Sequence, residues 1–454
     1  MKRALSLNRP VWALHVLIVG LALHNLVMAQ LWHAGLRGGA LSAVSAWKDV
    51  LLVGALAAVA WSRRGRLPAP ITADWLALAF AGFVVLYGLI PQSALGGGAT
   101  HKGIVFAARH DLLPVGAYLL GRGLELSAEE RSRLCRTVLF TAVGVAAYGL
   151  ADVYLVPLSW WRHNGTVGWF KDQLGLGYSN LLSGLPQNFV YNAGGNEVFR
   201  RLTSTFLSPL ATGYLLVVAL FHVPLRRRYG PPVALLLFAA LLWTHTRAAL
   251  LALALGLLVI AVLRRRMRPL VLAILVAAVG FAFVKEYTHF GPRTHFTPAE
   301  QTAQEQNAKN SAPASNDATS ANDASTSEHL ASLRDGIRTV IHHPWGYGLG
   351  NAGVTASRTH VPVKAGESTY TELGVETGLL GGLLFVAWSL ALLRRLTWLP
   401  WLAATFAAVL AIGLQTDVIG IPWLAVVVWA LAGDAATRQR VPSQSPLPIN
   451  PSGS

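Results

Sequence analysis

The chain has 454 residues, 53% of them hydrophobic and only 13% charged, with a mean hydropathy of +0.46. Soluble domains carry roughly 25% charged residues, so an ordinary soluble protein is excluded. The net charge of +16 would suggest nucleic acid for a soluble chain; in so apolar a one it is explained by Arg and Lys gathered in cytoplasmic loops, and nucleic acid is set aside as a partner. A single cysteine, Cys135, allows no internal disulfide.

Apolar runs of about 17–22 residues recur along the whole length, each long enough for a ~30 Å hydrocarbon core. After a basic start at Lys2, Arg3 and Arg9, the first runs from Val11 to Trp32, too long for the core of a cleaved signal. Further spans are expected near 47–62, 73–91, 104–121, 134–156, 205–223, 231–246, 248–264, 269–285, 369–393, 398–415 and 418–434, about twelve in all. The fold class is therefore all-α, a polytopic integral membrane protein; a β-barrel would need short alternating segments.

Charge sets the expected orientation. With the N-terminus inside, alternate loops hold Arg63, Arg64 and Arg66; Arg122, Arg131, Arg133 and Arg136; Arg226–Arg228; Arg264–Arg266 and Arg268; Arg394 and Arg395; then Arg438 and Arg440. Every second loop is basic, which places both termini in the cytoplasm. The expected organisation is N-terminal membrane helices over 1–156, a periplasmic loop over 157–204, central membrane helices over 205–285, a large periplasmic loop over 286–368, C-terminal membrane helices over 369–434, and a disordered cytoplasmic tail over 435–454. Within the large loop, 298–327 is rich in Ala, Ser, Thr, Asn and Gln and is expected to be disordered. Then Leu330, Leu333, Ile337, Val340 and Ile341 recur at helical spacing, predicting an amphipathic helix over His329–His342. No Walker loop, Rossmann fingerprint or HExxH motif occurs, so an ATP-driven pump is not expected.

The informative residues are charges near or within spans, because an Arg at the centre of an isolated spanning helix costs at least ~2.5–3.5 kcal/mol. Arg247 follows Thr244-His245-Thr246 in the shortest outer connection. It reads either as an interfacial snorkelling residue or as an anion ligand at an outward cavity. Arg200 and Arg201 precede Leu202-Thr203-Ser204-Thr205-Phe206, where the first long loop re-enters the membrane; they are interface anchors or a second anion ligand. Arg109, in Arg109-His110-Asp111, either pairs within the bundle or lines the same cavity. Guanidinium groups bind phosphate oxygens in pairs and stay charged. Near lipid, the fitting ligand is a polyprenyl diphosphate carrying sugars. Trp160, Trp161, Trp169, Phe170, Tyr178, Phe189 and Tyr191 in the first loop either stack on sugar rings or form an interfacial belt.

Four stretches carry a resemblance: Arg201-Leu-Thr-Ser-Thr-Phe-Leu-Ser-Pro209; Thr246-Arg247-Ala-Ala-Leu-Leu-Ala; Ile341-His-His-Pro344-Trp-Gly346-Tyr-Gly348-Leu-Gly350-Asn351; and Glu367-Ser-Thr-Tyr-Thr-Glu-Leu-Gly-Val-Glu376-Thr-Gly378-Leu-Leu-Gly381. With these motifs the chain resembles the O-antigen ligase / O-antigen polymerase family of bacterial membrane glycosyltransferases, over roughly 195–395. The resemblance implies a GT-C-like architecture, a donor glycan on undecaprenyl diphosphate, and transfer to an acceptor hydroxyl on the periplasmic face of the inner membrane without metal, cofactor or nucleotide sugar. It maps the family's diphosphate-binding arginines onto Arg201 and Arg247. Ligases place a His at the start of the last motif, where this chain has Glu367 followed by Ser368. That departure favours a polymerase of O-antigen or exopolysaccharide repeats over a ligase acting on lipid A-core or protein.

The expected mechanism is inverting displacement at C1, with Arg201, Arg247 and Arg109 on the diphosphate and Glu367 as the base. His343, His360, Glu372 and Tyr370 are secondary candidates, on the acceptor side or as a substitute base. Glu372 and Glu376 are expected to pair with membrane arginines such as Arg109 or Arg247. Gly374, Gly378 and Gly381 lie on one helical side, which suits close helix packing. The expected partners are the lipid-linked donor, a glycan or lipid A-core acceptor, the bilayer, and a chain-length regulator. A lipid transporter or flippase is the reading from a different class; it predicts charges at the membrane midplane and matching broken helices.

Overall fold

The computed structural model describes residues 10–63, 68–176, 184–194, 197–223, 227–310 and 324–438. The first half of the chain forms α1 (Val11–His33), α2 (Gly38–Ser45), α3 (Trp47–Arg63), α4 (Thr72–Leu89), α5 (Gln92–Leu95), α6 (His101–Leu124) and α7 (Ala128–Leu155). A short α8 (Leu158–His163) and a π-helical turn at Gly168–Gln173 follow, then a hairpin of β1 (Val190–Gly194) and β2 (Glu197–Arg200). Next come α9 (Pro209–His222), α10 (Gly230–Trp243), α11 (Arg247–Arg264) and α12 (Met267–Phe290). A two-residue strand β3 (Arg293–Thr294) leads to α13 (Pro298–Asn310), α14 (Ala324–His342) and α15 (Gly353–Arg358); the chain closes with α16 (Thr369–Leu396), α17 (Pro400–Ile412) and α18 (Pro422–Ala436).

Among the described residues, seven segments are long and apolar enough to cross a membrane: Val11–His33, Gly38–Arg63, Thr72–Leu89, Ala128–Leu155, Arg247–Arg264, Met267–Phe290 and Thr369–Leu396. Helices α9, α10, α17 and α18 are shorter and apolar. Helix α6 has 24 residues, but Lys102, Arg109, Asp111 and Arg122 interrupt its apolar run. The molecule is a polytopic helical membrane protein.

It is not purely helical. Strands β1, β2 and β3 form an antiparallel sheet in that order, with Val190 opposite Arg200, Phe199 opposite Arg293 and Val198 opposite Thr294. The sheet was not foreseen because its third strand comes from the second long connection, about ninety residues further on. The segment 298–310, expected to be disordered, is helical. Thr297 and Glu300 close a reciprocal cap: Glu300 Oε2 accepts from Thr297 N over 2.7 Å, and Glu300 N donates to Thr297 Oγ1. Residues 311–323 of that stretch, the tail from 439, Tyr178, and Lys2, Arg3, Arg9, Arg64, Arg66, Arg226 and Arg440 lie outside the described residues.

At one end of the bundle the basic loops converge. Arg63 pairs with Glu125 at 2.8 Å, Arg122 with Asp74 at 2.7 Å, and Arg131 with Asp434 at 2.6 Å. Helices α6 and α18 run in contact because neither has a side chain where they cross: a Cβ on Gly121 would sit 1.9 Å from Ala430 O, and one on Gly433 would sit 2.2 Å from Tyr118 O. The two long connections cover the other end. Trp161, Trp169, Phe170 and Phe189 are buried there in a second apolar core, a packing role for most of the loop aromatics; Trp160 stays exposed and Tyr191 packs against His245.

Candidate functional site

The covered end holds the chain's break points. Helix α16 is interrupted at Gly378, whose φ of 73° and ψ of 172° are non-helical. The interruption frees backbone groups, and the glycine-rich turn supplies partners for them. Leu379 N donates to Pro344 O over 2.8 Å, and Tyr347 N donates to Val375 O over 2.6 Å. The turn is itself fastened to the loop before α6: Asn351 Nδ2 donates to Gln92 Oε1 over 2.7 Å, and Gly98 N donates to Asn351 Oδ1 over 2.8 Å. Gly378 thus serves a helix break, and Gly374, where Val340 packs, serves close approach.

Arg201 leaves β2 and reaches the end of α10. Its Nε donates to Thr244 O over 3.0 Å, and its terminal nitrogens reach His245 O, Thr246 Oγ1 and Asn188 Oδ1 at 3.2–3.3 Å. All these partners are neutral. Desolvation brings the guanidinium down to about 10, and the positive charge of Arg247 adds to the shift. Arg247 opens α11 on the same short connection. Between them His245 packs its ring against Tyr191 and Tyr287, with centroids 4.4 and 4.5 Å away. Burial first, then the two arginines, hold His245 down at about 3, so it stays neutral. Two cations brought together with a neutral imidazole describe a place where an anion is favoured.

Glu367 stands in the connection just before α16, with φ at 66°, a conformation that side chains rarely adopt. Its Oε2 accepts a hydrogen bond from Nδ1 of His329 on α14 over 2.7 Å. That contact, more than any other, raises His329 above its ordinary range; the charge of Arg247 acts on the same ring in the opposite sense. Arg201, Arg247, His329 and Glu367 therefore form one electrostatic neighbourhood. Of the seven non-glycine residues with positive φ among the described residues, Glu367 belongs to this neighbourhood and His245 lies between its arginines. Strain held by surrounding structure is a mark of functional positions.

The other candidates fall elsewhere. Arg109 pairs with Asp49 of α3 at 2.7 Å and lies close enough to bear on Lys48 and His24. Arg200 is buried against Asp152 of α7 and donates to Val156 O, a packing role. His343 stacks on Tyr347 and contacts Leu95 O at 3.0 Å, which ties it to the turn. Tyr370 donates to Leu410 O over 2.7 Å. His360 is exposed, with φ at 57°, one turn after α15. Glu372 and Glu376 are buried without the expected arginines. Glu376 accepts from Gly350 N over 2.9 Å, and Glu372 packs on the α-carbon of Gly353. Beside them His110 holds Asp111 and Asp417, each at 2.7 Å.

Two contributors were not singled out in the sequence. His329 was visible only as the first residue of an amphipathic helix, and Asn188 only as a loop amide. In the structure His329 lies on the side of α14 that faces α16, in line with Ser332, Gly336 and Val340, which meet Gly366, Thr371 and Gly374.

Residues 232–386 match the family model described as O-Antigen ligase. The match covers about a third of the chain, and over that stretch the chain is similar to the O-antigen ligase family. The matched O-antigen ligase domain contains Arg247, His329 and Glu367, while Arg201 precedes it. No curated protein matches the chain.

Proposed function

We propose that this protein transfers a glycan from undecaprenyl diphosphate to an acceptor sugar hydroxyl on the periplasmic face of the inner membrane, lengthening O-antigen or exopolysaccharide chains. In this reading helices α1, α3, α4, α6, α7, α9–α12 and α16–α18 cross the bilayer as about twelve spans of a GT-C-like bundle, four of them shorter apolar helices, with both termini cytoplasmic. The basic end, with Arg63, Arg122 and Arg131, then faces the cytoplasm, in keeping with the positive-inside trend.

One observation carries the reading: Arg201, whose hydrogen-bond partners among the described residues are all neutral, sits beside Arg247, whose charge also reaches the His329–Glu367 pair. The guanidinium groups stabilise charge on the departing diphosphate. The carboxylate-bearing pair receives the proton of the attacking hydroxyl. Attack opposite the leaving group inverts C1, and a single base suffices. The donor's prenyl tail lies in the bilayer while its phosphates stay at headgroup level.

Glu367 at the start of the last motif supports a polymerase. The description of the matched family supports a second reading, a ligase that moves finished polysaccharide to lipid A-core or protein. The test is purified protein with lipid-linked repeat units and neither nucleotide nor added metal. Lengthening supports the polymerase; consumption of polymer only when lipid A-core is added supports the ligase. Intact donor under both conditions overturns glycan transfer.

A further inference from the structure

We propose that the proton acceptor is Nε2 of His329, and that Glu367 orients this imidazole instead of acting as the base itself. The proposal rests on the glycan-transfer reading above and assigns the labour within it.

The geometry of the pair is directional. Nδ1 of His329 points at Glu367 Oε2 over 2.7 Å. A carboxylate at Nδ1 keeps the proton on that nitrogen and leaves the Nε2 lone pair facing away from it. Among the described residues, Nδ1 is the only ring nitrogen of His329 in a hydrogen bond. The side chains are 41% and 43% exposed, so the pair stands where an incoming hydroxyl can reach it.

The backbone around the pair is pinned from two sides. Ser332, one turn along α14 from His329, donates to Gly366 O. Ser368 donates to Gly413 O over 3.1 Å, at the end of α17. Glu367 lies between these anchors in its left-handed conformation. A residue needed only as a solvated helix-start acid has no use for such fastening; an orienting carboxylate does.

The charges facing the ring come from three elements. Glu367 precedes α16, Glu328 lies on α14 itself, and Arg247 opens α11. The two carboxylates stabilise an imidazolium, and Arg247 opposes it. In the step, the acceptor oxygen bonds to C1 of the donor sugar. The C1–O bond to the diphosphate breaks, and its electron pair leaves with the prenyl diphosphate. The hydroxyl proton moves to Nε2 of His329, and the exposed imidazolium later releases it to water.

The experiment uses the full chain in lipid nanodiscs with a synthetic undecaprenyl-diphosphate-linked repeat unit. It compares wild type, His329→Gln, His329→Ala with and without imidazole, and Glu367→Gln across pH. We expect His329→Gln to lower kcat by about 10²–10⁴-fold with donor KM within about twofold, and to lose the acid limb of the pH profile. Added imidazole should restore turnover to His329→Ala. Glu367→Gln still accepts the Nδ1 proton, so it should lose less kcat and move the acid limb to lower pH. A His329→Gln protein within about threefold of wild-type kcat, or one that keeps the acid limb, overturns the assignment. In that case the Glu367→Gln result shows whether the carboxylate is the base and glycan transfer still stands. Wild-type protein that transfers no glycan removes both readings, which separates that failure from a failure of the assignment alone.

Discussion

Arg201 Nε donates to the backbone oxygen of Thr244 over 3.0 Å, three residues before Arg247. The first long connection is thereby clamped to the short turn that bears the second arginine, and the spacing of the two cations is set by backbone. An ammonium cannot reproduce the fork that meets Thr244 O, His245 O and Asn188 together. Arg201→Lys should keep the local charge yet weaken donor binding by about 1–3 kcal/mol, five- to more than a hundredfold in Kd. Arg247→Gln should do the same without touching the clamp. Titration of each variant with a prenyl diphosphate reads this directly; unchanged affinity in both would remove the diphosphate site.

Arg109 lies away from this clamp. It pairs with Asp49 of α3 at 2.7 Å. Arg109→Gln should change donor affinity less than Arg247→Gln does in the same titration. An equal loss would show that Arg109 reaches the same anion.

The His329–Glu367 contact also makes stability depend on pH. His329 is raised in the folded protein, so it binds its proton more tightly there than in the unfolded chain. Its contribution is full below the ordinary histidine value and is lost as pH rises through the raised one. Because both groups are well exposed, solvent screening keeps the effect small. Melting curves between roughly pH 5 and 8 should show wild type losing slightly more stability than Glu367→Gln. Parallel curves would mean that the contact is not formed in solution.

The break in α16 predicts a position intolerant of side chains. A Cβ on Gly378 would lie 2.8 Å from Pro344 O, on a residue with φ at 73°. Gly378→Ala should cost about 1–3 kcal/mol from backbone conformation alone, and more from the clash. The signature is a lower Tm together with new protease sensitivity in the Pro344–Asn351 turn.

At the opposite end, Asp74 accepts from Arg122 at 2.7 and 2.9 Å and from the Tyr118 hydroxyl. Asp74→Asn leaves a largely buried guanidinium without its counter-charge, a change that costs about 3–5 kcal/mol in proteins generally. Thermal stability should fall while the donor affinity of the folded fraction is kept. Selective loss of binding would argue that the two ends are coupled.

Much of this architecture was legible in the chain. The apolar runs mark helices because spanning segments must satisfy their backbone groups internally. Arg201, Arg247 and Glu367 stood out because charge near a bilayer needs a reason. What stayed hidden depends on contacts distant in sequence. His329 meets Glu367 across 38 positions, and β2 meets β3 across about ninety. Nothing local in His329 distinguishes it from any other polar residue on an amphipathic helix. The pairing expected of Glu372 and Glu376 was misjudged for a related reason. Glu376 takes the backbone amide of Gly350 in the glycine turn, and beside the two an imidazole on α6 holds Asp111 and Asp417.

The small sheet stitches the two long connections into a single cover. Two facing residue pairs, Phe199 with Arg293 and Val198 with Thr294, hold the seam together with the Arg162–Glu300 ion pair and the bond from Arg358 to Leu174 O. Neither connection can be lifted from the bundle unless the other comes with it or these contacts break. A polymer too bulky to thread beneath the cover would have to part all of them.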